Sequence, residues 1–159
     1  MRMRFAGAGR RHGRSHAEAV ARADDKPRWL EAFSFTAVGG EVPAARRRVE
    51  TELVQLGLTG RARFDLMAAV GEALNNAVGH GSPYEEFDDV IVRIGVIAGG
   101  VMVEITDKGK GLSSARICPP DALADSGRGI PSMRALVDDL RIECDGAGTT
   151  VFLVKLIPE

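Results

Sequence analysis

Residues 70–80 read Val-Gly-Glu-Ala-Leu-Asn-Asn-Ala-Val-Gly-His, a helical sequence that carries its polar residues on one side. Glu72 and Asn76 are four residues apart and His80 follows after four more, so the three side chains share one stripe of a helix. A carboxylate and a carboxamide on such a stripe can supply a general base and an oxygen ligand for a hard cation. For an isolated pair of this kind, the polar outer face of an ordinary helix is the simpler interpretation.

The apolar spacing around this stretch predicts two consecutive helices. The first runs from about 43 to 56, with Pro43 at a favourable first position and Gly57 as a typical C-terminal cap. The second runs from about 61 to 79 and ends in the breaker cluster at 79–83. Its broad apolar face consists of Phe64, Met67, Val70, Leu74, Ala77 and Val78.

Alternating β-branched and aromatic residues predict strands on either side of these helices. A strand is expected over 29–37, where Trp29, Phe33 and Phe35 share one parity. Segments 90–97 and 101–106 are joined by a loop short enough to form an antiparallel hairpin.

A short third helix and a second hairpin complete the predicted elements. The helix is marked by Ile130, Met133, Leu136 and Val137, and the hairpin joins segments 141–144 and 150–156. Helices grouped between hairpins favour an α+β two-layer sandwich, in which a mixed, largely antiparallel sheet carries helices on one face.

Composition indicates one soluble domain and excludes several classes of protein. The 159 residues are 45% hydrophobic and 27% charged, and no apolar run approaches the ~18 residues of a membrane span. Nineteen glycines make about 12% of the chain, against a usual value of roughly 7%. Cys118 and Cys144 have no second Cys or His at ligand spacing, so we expect neither a zinc site nor a disulfide framework, and a cytoplasmic location.

The formal net charge of −1 conceals a basic tail on an acidic body. Residues 1–26 hold seven Lys or Arg and three Asp or Glu, whereas residues 27–159 hold fourteen and nineteen. The tail has no apolar period, so we expect it to be disordered, as a linker or solubilising arm. The acidic body disfavours direct nucleic-acid binding, and Arg46 to Arg48 is its one basic cluster, either a solvated face or a contact for an acidic partner.

Three further glycine-containing segments stand at the ends of predicted elements. Asp107-Lys-Gly-Lys-Gly111 closes a strand, where glycine permits close approach of a ligand and Asp107 offers an acceptor for an amino group. Gly127-Arg-Gly-Ile130 opens the third helix, where amide groups and a guanidinium favour an anion. Gly146-Ala-Gly-Thr149 joins the strands of the second hairpin, with Thr149 at the entrance to the last strand. Taken singly, these segments also fit an ordinary turn, a glycine-rich helix start and a hairpin turn.

Taken together, the order and spacing of the four segments resemble the motifs of the GHKL (histidine kinase-like) ATPases. Residues 72–77 resemble their N box, 107–111 and 127–130 their two glycine boxes, and 148–149 their short last box. The resemblance covers about residues 30–157. Small size, the His80-Gly81 ending and Met133 near the second glycine box most resemble the bacterial anti-sigma-factor serine/threonine kinases within that superfamily.

The resemblance implies a role for each segment. In that family the residue matching Asn76 coordinates Mg²⁺ bridging the nucleotide phosphates, and the residue matching Glu72 is the general base. Asp107 is expected to accept a hydrogen bond from the adenine amine, which favours adenine over guanine. The remaining nucleotide contacts implied by the resemblance are His80, Gly109, Gly111, Gly127, Arg128, Gly129, Ile130 and Thr149.

The resemblance also implies partners. Residues 112–126 would form a short ATP lid. The expected function is an anti-sigma factor and serine/threonine kinase that uses MgATP to phosphorylate an anti-anti-sigma antagonist of the STAS type. The chain would sequester a sigma factor when that antagonist is phosphorylated, and it would form a homodimer through the sheet or the first helix.

Three other functions remain open on the sequence alone. The chain could be a nucleotide-gated binding module that keeps the fold and MgATP but phosphorylates nothing. It could bind nucleic acid nonspecifically through the basic tail, with strong salt dependence. A histidine-kinase catalytic module is a further alternative, although His12 and His16 lie in the tail without the helical period of a phosphoacceptor helix.

Overall fold

The protein folds as one antiparallel sheet with helices on a single face. The computed structural model describes residues 26–79, 88–108, 129–145 and 148–157. The predicted disordered tail, apart from Lys26, and the predicted lid lie outside these ranges.

The described elements are β1 (Arg28–Thr36), a 3₁₀ turn (Gly39–Glu41), α1 (Val42–Gln55), α2 (Gly60–Gly79), β2 (Asp89–Ile97), β3 (Gly100–Asp107), α3 (Gly129–Leu136), β4 (Asp139–Asp145) and β5 (Gly148–Leu156). Their order and bounds agree with the sequence prediction to within one or two residues at nearly every end. No helix in the described ranges is long and apolar enough to cross a membrane.

The sheet has the strand order β1-β2-β3-β5-β4, and all four pairings are antiparallel. β3 is therefore central, and β5 lies between β3 and β4. This order places the C-terminal end of β3 beside the N-terminal end of β5. The predicted α+β two-layer sandwich with helices on one face is confirmed.

The core lies between the sheet and α2. Leu66, Val70 and Leu74 are fully buried along α2, opposite Val103 and Leu153 of the sheet. α1 begins at Val42 with a proline in its first turn, and Gly57 just beyond its end has φ 82°, the left-handed conformation that glycine adopts most readily. The local signals read from the sequence thus fix where the helices begin and end.

Phe64 is a correction to the predicted apolar face of the second helix. Its side chain is 67% exposed. Successive residues of a helix are rotated by about 100°, so a position two residues before Leu66 lies nearly on the opposite side. The buried face is centred on Leu66, Val70 and Leu74, and Phe64 points away from it.

Trp29 is a second correction, because it does not share a face with Phe33 and Phe35. The pairing of β1 with β2 shifts register between Trp29 and Glu31. A single extra residue reverses the side to which side chains point. Trp29 therefore joins the outer face of the sheet, whereas Phe33 and Phe35 pack against the core under the helices.

The outer face of the sheet has its own small apolar cluster, which we call the outer cluster. It consists of Trp29, Ile97, Met102, Phe152, Val154 and Leu156. Arg93 lies over the ring of Trp29 at 4.1 Å and donates two hydrogen bonds, of 2.7 and 2.6 Å, to the buried carboxylate of Glu104. These hydrogen bonds raise the pKa of Arg93. The ion pair and the aromatic ring together cover one side of the outer face.

Candidate functional site

The predicted adenine-reading residue and the predicted last box are direct neighbours in the sheet. Asp107 ends β3 and lies opposite Thr149, the second residue of β5. The backbone N–H of Thr149 donates to Oδ1 of Asp107 at 3.2 Å, and both residues are buried. A carboxylate can accept several hydrogen bonds, so this bond orients the group without using all of its acceptor capacity.

Gly148 shows why a glycine precedes Thr149. A Cβ atom at this position would lie 1.9 Å from the carbonyl oxygen of Asp107. Its φ of 157° is also uncommon for residues with a side chain. The glycine thus permits the start of β5 to approach the end of β3 closely, and this approach holds the Asp107 carboxylate in place.

Glu72 and Asn76 of the N-box segment differ in their exposure on α2. Glu72 is exposed to solvent, whereas Asn76, one turn later, is 9% exposed. Nδ2 of Asn76 is buried and has no hydrogen-bond partner among the described residues. A buried polar atom without a partner costs about 1–3 kcal/mol, so such atoms commonly mark a bound group or a functional site.

A contact at the far end of α2 shows how this helix lies over the sheet. Asp65 pairs with Lys155 at 3.6 Å, near the C-terminal end of β5. Asn76 is eleven residues further along the helix, about 16 Å away. Thr149 is six residues back along β5, about 20 Å from Lys155. α2 packs against β5 and β3, so its C-terminal half lies toward the end of the sheet that carries Asp107 and Thr149.

α3 contributes the described part of the second glycine box. Gly129 is its first residue and is buried, and Ile130 packs against the core. Met133, one turn later, is fully buried, and α3 packs against α2. The structure thus brings the start of α3 next to the helix that carries Glu72 and Asn76.

Five predicted site residues cannot be placed. His80, Gly109, Gly111, Gly127 and Arg128 lie outside the described residues. Their predicted contacts with a nucleotide remain predictions.

Cys144 is a correction to the expectation of unpaired thiols. Its sulfur is disulfide-bonded, and the chain's one other cysteine, Cys118, lies outside the described residues. Cys144 Sγ is 3.4 Å from Oγ1 of Thr149 and therefore borders the candidate site. A pair of cysteines 26 residues apart matches no disulfide framework pattern, so the sequence carries no signal for this bond.

Sequence reasoning missed Asp65 and Lys155, which join α2, the helix of Glu72 and Asn76, to β5, the strand of Thr149. Asp65 precedes Glu72 by seven residues, or about two helical turns, and so lies on the same stripe of α2. That spacing was available as a signal, but Lys155 comes from a distant strand and only the fold reveals the pair.

The donor set of the site fits a magnesium nucleotide better than a metal bound by the protein alone. Among the described residues, no group of three His, Cys, Asp or Glu side chains could hold a metal ion. Mg²⁺ usually binds few protein ligands and completes its coordination with phosphate oxygens and water. The single neutral carboxamide of Asn76 is consistent with this kind of binding. The unpartnered Nδ2 of Asn76 can donate to a phosphate oxygen of the same nucleotide.

Comparison with known proteins identifies relatives across most of the chain. Residues 35–155 match the model of the histidine kinase-like ATPase domain. An anti-sigma F factor of Clostridium botulinum (strain Alaska E43 / Type E3) is 35% identical over 120 residues, which cover 70% of this chain and 82% of that protein. The serine-protein kinase RsbW of Bacillus licheniformis is 34% identical over 103 residues, which cover 58% of this chain and 64% of that protein.

A solved structure has the same fold. The RsbU and RsbW domains of Rv1364c from Mycobacterium tuberculosis superpose with a TM-score of 0.59 over 81% of this chain, at 21% identity. The match covers 34% of that longer chain. At this identity the likeness concerns the fold alone.

Proposed function

The chain belongs to the histidine kinase-like ATPases of the GHKL superfamily and, within them, to the bacterial anti-sigma-factor kinases, and from this membership we propose that it is an ATP-dependent protein kinase that also binds a sigma factor. It binds MgATP and phosphorylates a Ser or Thr of an anti-anti-sigma antagonist of the STAS type. The phosphorylated antagonist leaves, and the kinase then sequesters the sigma factor.

The observation that carries this proposal is the environment of Asn76. A carboxamide that is 9% exposed, with an Nδ2 lacking a partner among the described residues, stands one turn after an exposed carboxylate. Oδ1 of Asn76 would ligate the Mg²⁺, and Nδ2 would donate to a phosphate oxygen. The bound ion would neutralise charge on the phosphates during transfer.

Glu72 suits the role of general base because it is exposed. A kinase that acts on a protein must reach a hydroxyl presented from outside, and a buried carboxylate could not meet it. As the substrate oxygen attacks the γ-phosphorus, Glu72 accepts the hydroxyl proton, and the bond from phosphorus to the ADP oxygen breaks. The four-residue spacing to Asn76 places base and phosphates one helical turn apart.

Asp107 suits recognition of adenine. Its carboxylate is buried at the end of β3 and oriented by the Thr149 amide. A carboxylate accepts from the amino group of adenine, and it would face the carbonyl oxygen of guanine unfavourably. The proposal therefore includes selectivity for ATP over GTP.

A groove between α1 and α2 suits the binding of an acidic protein partner. The groove has a volume of about 460 Å³ and is lined by Arg46, Glu50, Gly60, Arg63, Phe64, Met67 and Ala68. Phe64 is 67% exposed. Two arginines, Arg46 and Arg63, line the groove and Arg47 lies beside it, against a single glutamate, Glu50. An exposed aromatic ring among arginines is the usual composition of a protein-binding hot spot.

The acidic surface outside the groove accounts for the release of the phosphorylated antagonist. The body of the chain, residues 27–159, carries five more acidic than basic residues. A phosphate adds about two negative charges to the antagonist, which is unfavourable wherever it meets that acidic surface. Loss of the antagonist then leaves the groove available to the sigma factor.

We also propose that the chain forms a homodimer through the outer face of the sheet. The outer cluster places Trp29, Phe152 and Leu156 on the side of the sheet away from the helices. Light scattering on the purified protein should give twice the monomer mass, and a Trp29→Ser variant should shift toward the monomer. A monomeric mass at micromolar concentration would contradict this part of the proposal.

Phosphate transfer and sigma binding can be tested with purified components. The protein is incubated with Mg²⁺ and γ-labelled ATP together with each STAS-type antagonist of its own genome, and sigma-factor capture is measured before and after. We expect label on one Ser or Thr of an antagonist, and sigma capture that this antagonist reverses until it is phosphorylated.

The outcomes separate the proposed kinase from the alternative. ATP-dependent sigma capture without label on any antagonist would indicate a nucleotide-gated binding module instead of a kinase. Absence of both label and capture would overturn the anti-sigma assignment and leave only the fold.

A further inference from the structure

One lysine joins three elements that each carry a predicted site residue. Lys155 is on β5, the strand that begins with Gly148 and Thr149. Its ammonium pairs with Asp65 of α2 at 3.6 Å and donates to the carbonyl oxygen of Leu136, the last residue of α3, at 2.8 Å. Side chains of Lys155 and Asp65 are 14% and 15% exposed, so the contact is largely shielded from water.

The contact with Leu136 fixes the C-terminal end of α3, whose N-terminal end is the one that we propose to bind phosphate. The last carbonyl groups of a helix lack partners within the helix and favour a positive charge. Asp138, just beyond the helix, adds two further bonds to β5. Its N–H donates to the carbonyl oxygen of Val154 at 2.9 Å, and its Oδ2 accepts from the N–H of Leu156 at 2.7 Å.

The contact with Asp65 fixes α2 in rotation as well as in position. Asp65, Glu72 and Asn76 lie on one stripe of the helix, at spacings of seven and four residues. A rotation of α2 that moved the Asn76 side chain around the helix axis would also move Asp65 away from Lys155. Arg61 holds the same carboxylate from one turn earlier, with Nε 2.8 Å from Oδ1.

We propose that Lys155 is a positioning residue for the phosphate end of the nucleotide site. It holds the carboxamide of Asn76, on α2, and the start of α3 at one fixed separation, so that both meet the same phosphates. The adenine end depends on Asp107 and Thr149, which are held by the strand pairing of β3 and β5 and not by Lys155. This inference rests on the proposed binding of MgATP.

The two ends of the nucleotide site allow a positioning role to be distinguished from a stabilising one. A residue that only stabilised the fold would affect both ends equally, whereas a positioning residue for the phosphate end would affect that end alone. Lys155→Met keeps the aliphatic stem but removes the charge and all three donors. Dissociation constants for MgATP are measured by calorimetry, and those for AMP by competition with a fluorescent ATP analogue, at a temperature well below unfolding.

We expect Lys155→Met to weaken MgATP binding at least tenfold and AMP binding less than twofold. Lys155→Arg should recover most of the MgATP affinity, because a guanidinium can also donate to the Leu136 carbonyl and pair with Asp65. Asp65→Asn weakens the pairing with Lys155 and the bond from Arg61 but leaves the contact of Lys155 with Leu136 in place, so it should give an intermediate loss. Arg48→Met is the matched control, since Arg48 pairs with Glu31 between α1 and β1, which carry no predicted nucleotide contact. It should leave both affinities unchanged.

The positioning role is overturned if Lys155→Met binds MgATP as the wild type does, or if it loses MgATP and AMP affinity by the same factor. If Lys155→Met does not fold, wild-type MgATP affinity in Asp65→Asn overturns the role equally. If the wild-type protein binds no MgATP, both the proposed function and this inference are overturned. If the wild type binds MgATP and Lys155→Met binds it equally well, only this inference is overturned.

Discussion

The backbone amide of Thr149 donates to the carboxylate of Asp107 across the pairing of β3 with β5, at 3.2 Å. The two residues are 42 positions apart in the chain, and the bond joins the first predicted glycine box to the last one. The carboxylate that we propose to recognise adenine is thereby bonded to the main chain of a neighbouring strand.

Asp107→Asn is expected to weaken ATP binding by about 10–100-fold, because hydrogen bonds to a charged acceptor are worth about 1.5–3 kcal/mol. Asparagine has one acceptor oxygen, so the Thr149 amide and the adenine amine cannot both be satisfied as before. Its NH₂ group can donate to the carbonyl of guanine, and the preference for ATP over GTP should fall. Calorimetric titration with both nucleotides measures this.

The control for that variant is Glu143→Gln, which alters an exposed carboxylate on β4 in the same conservative way. Equal affinities for ATP in the wild type and Asp107→Asn would remove Asp107 from the adenine contact.

Gly148→Ala is expected to lower the free energy of unfolding by about 1–3 kcal/mol, the usual cost of overpacking, because its Cβ would meet the Asp107 carbonyl oxygen at 1.9 Å. The strands must separate locally to admit the methyl group, so ATP binding should weaken as well. Denaturant unfolding and ATP titration of the same sample measure the two effects. Gly40→Ala, where a Cβ would have no neighbour within 4 Å, should be close to neutral.

The sequence predicted the elements well because their limits are local. Proline at the start of α1, glycine after its end and β-branched alternation in β2 and β3 act over a few residues. Trp29 was placed on the wrong face because a register shift depends on how β1 pairs with β2, and no pattern within β1 reports it. Phe64 was counted with the core because a spacing of three residues to Met67 suggested a shared face.

The residue types of the candidate site were predictable from the sequence, but the contacts that hold those residues in place were not. Glu72 and Asn76 are recognisable by their four-residue spacing, and Asp107 by the glycines that follow it. The bond from Thr149, the close approach at Gly148 and the joint at Lys155 link residues far apart in the chain. Such contacts follow from strand order and helix placement, which no single segment encodes.

Glu72→Gln should lower phosphate transfer to the antagonist by about 10²–10⁴-fold, the usual contribution of a general base. An amide of the same shape cannot accept the proton, but the exposed position of Glu72 means that its loss leaves nucleotide affinity largely unchanged. Single-turnover transfer and ATP titration separate the two quantities. Asn75→Ala, which removes an exposed neighbour on α2, is the control, and full transfer in Glu72→Gln would rule out this base.

Phe64→Ser should weaken binding of the sigma factor or the antagonist at least tenfold, since hot-spot aromatics contribute about 2 kcal/mol or more to an interface. The ring is 67% exposed, so its removal costs little packing and the melting temperature should change little. Leu30→Ser removes another exposed apolar side chain, 42% exposed on β1, and should not affect the partner. Because the groove is basic, the wild-type affinity for the partner should also fall as salt is raised from 50 to 500 mM. Salt screens the charges of the arginines, since the Debye length shortens from about 10 Å at 0.1 M to about 3 Å at 1 M. Biolayer interferometry with immobilised partner measures both effects, and equal losses in the Phe64 and Leu30 variants would show that the groove is not the docking surface.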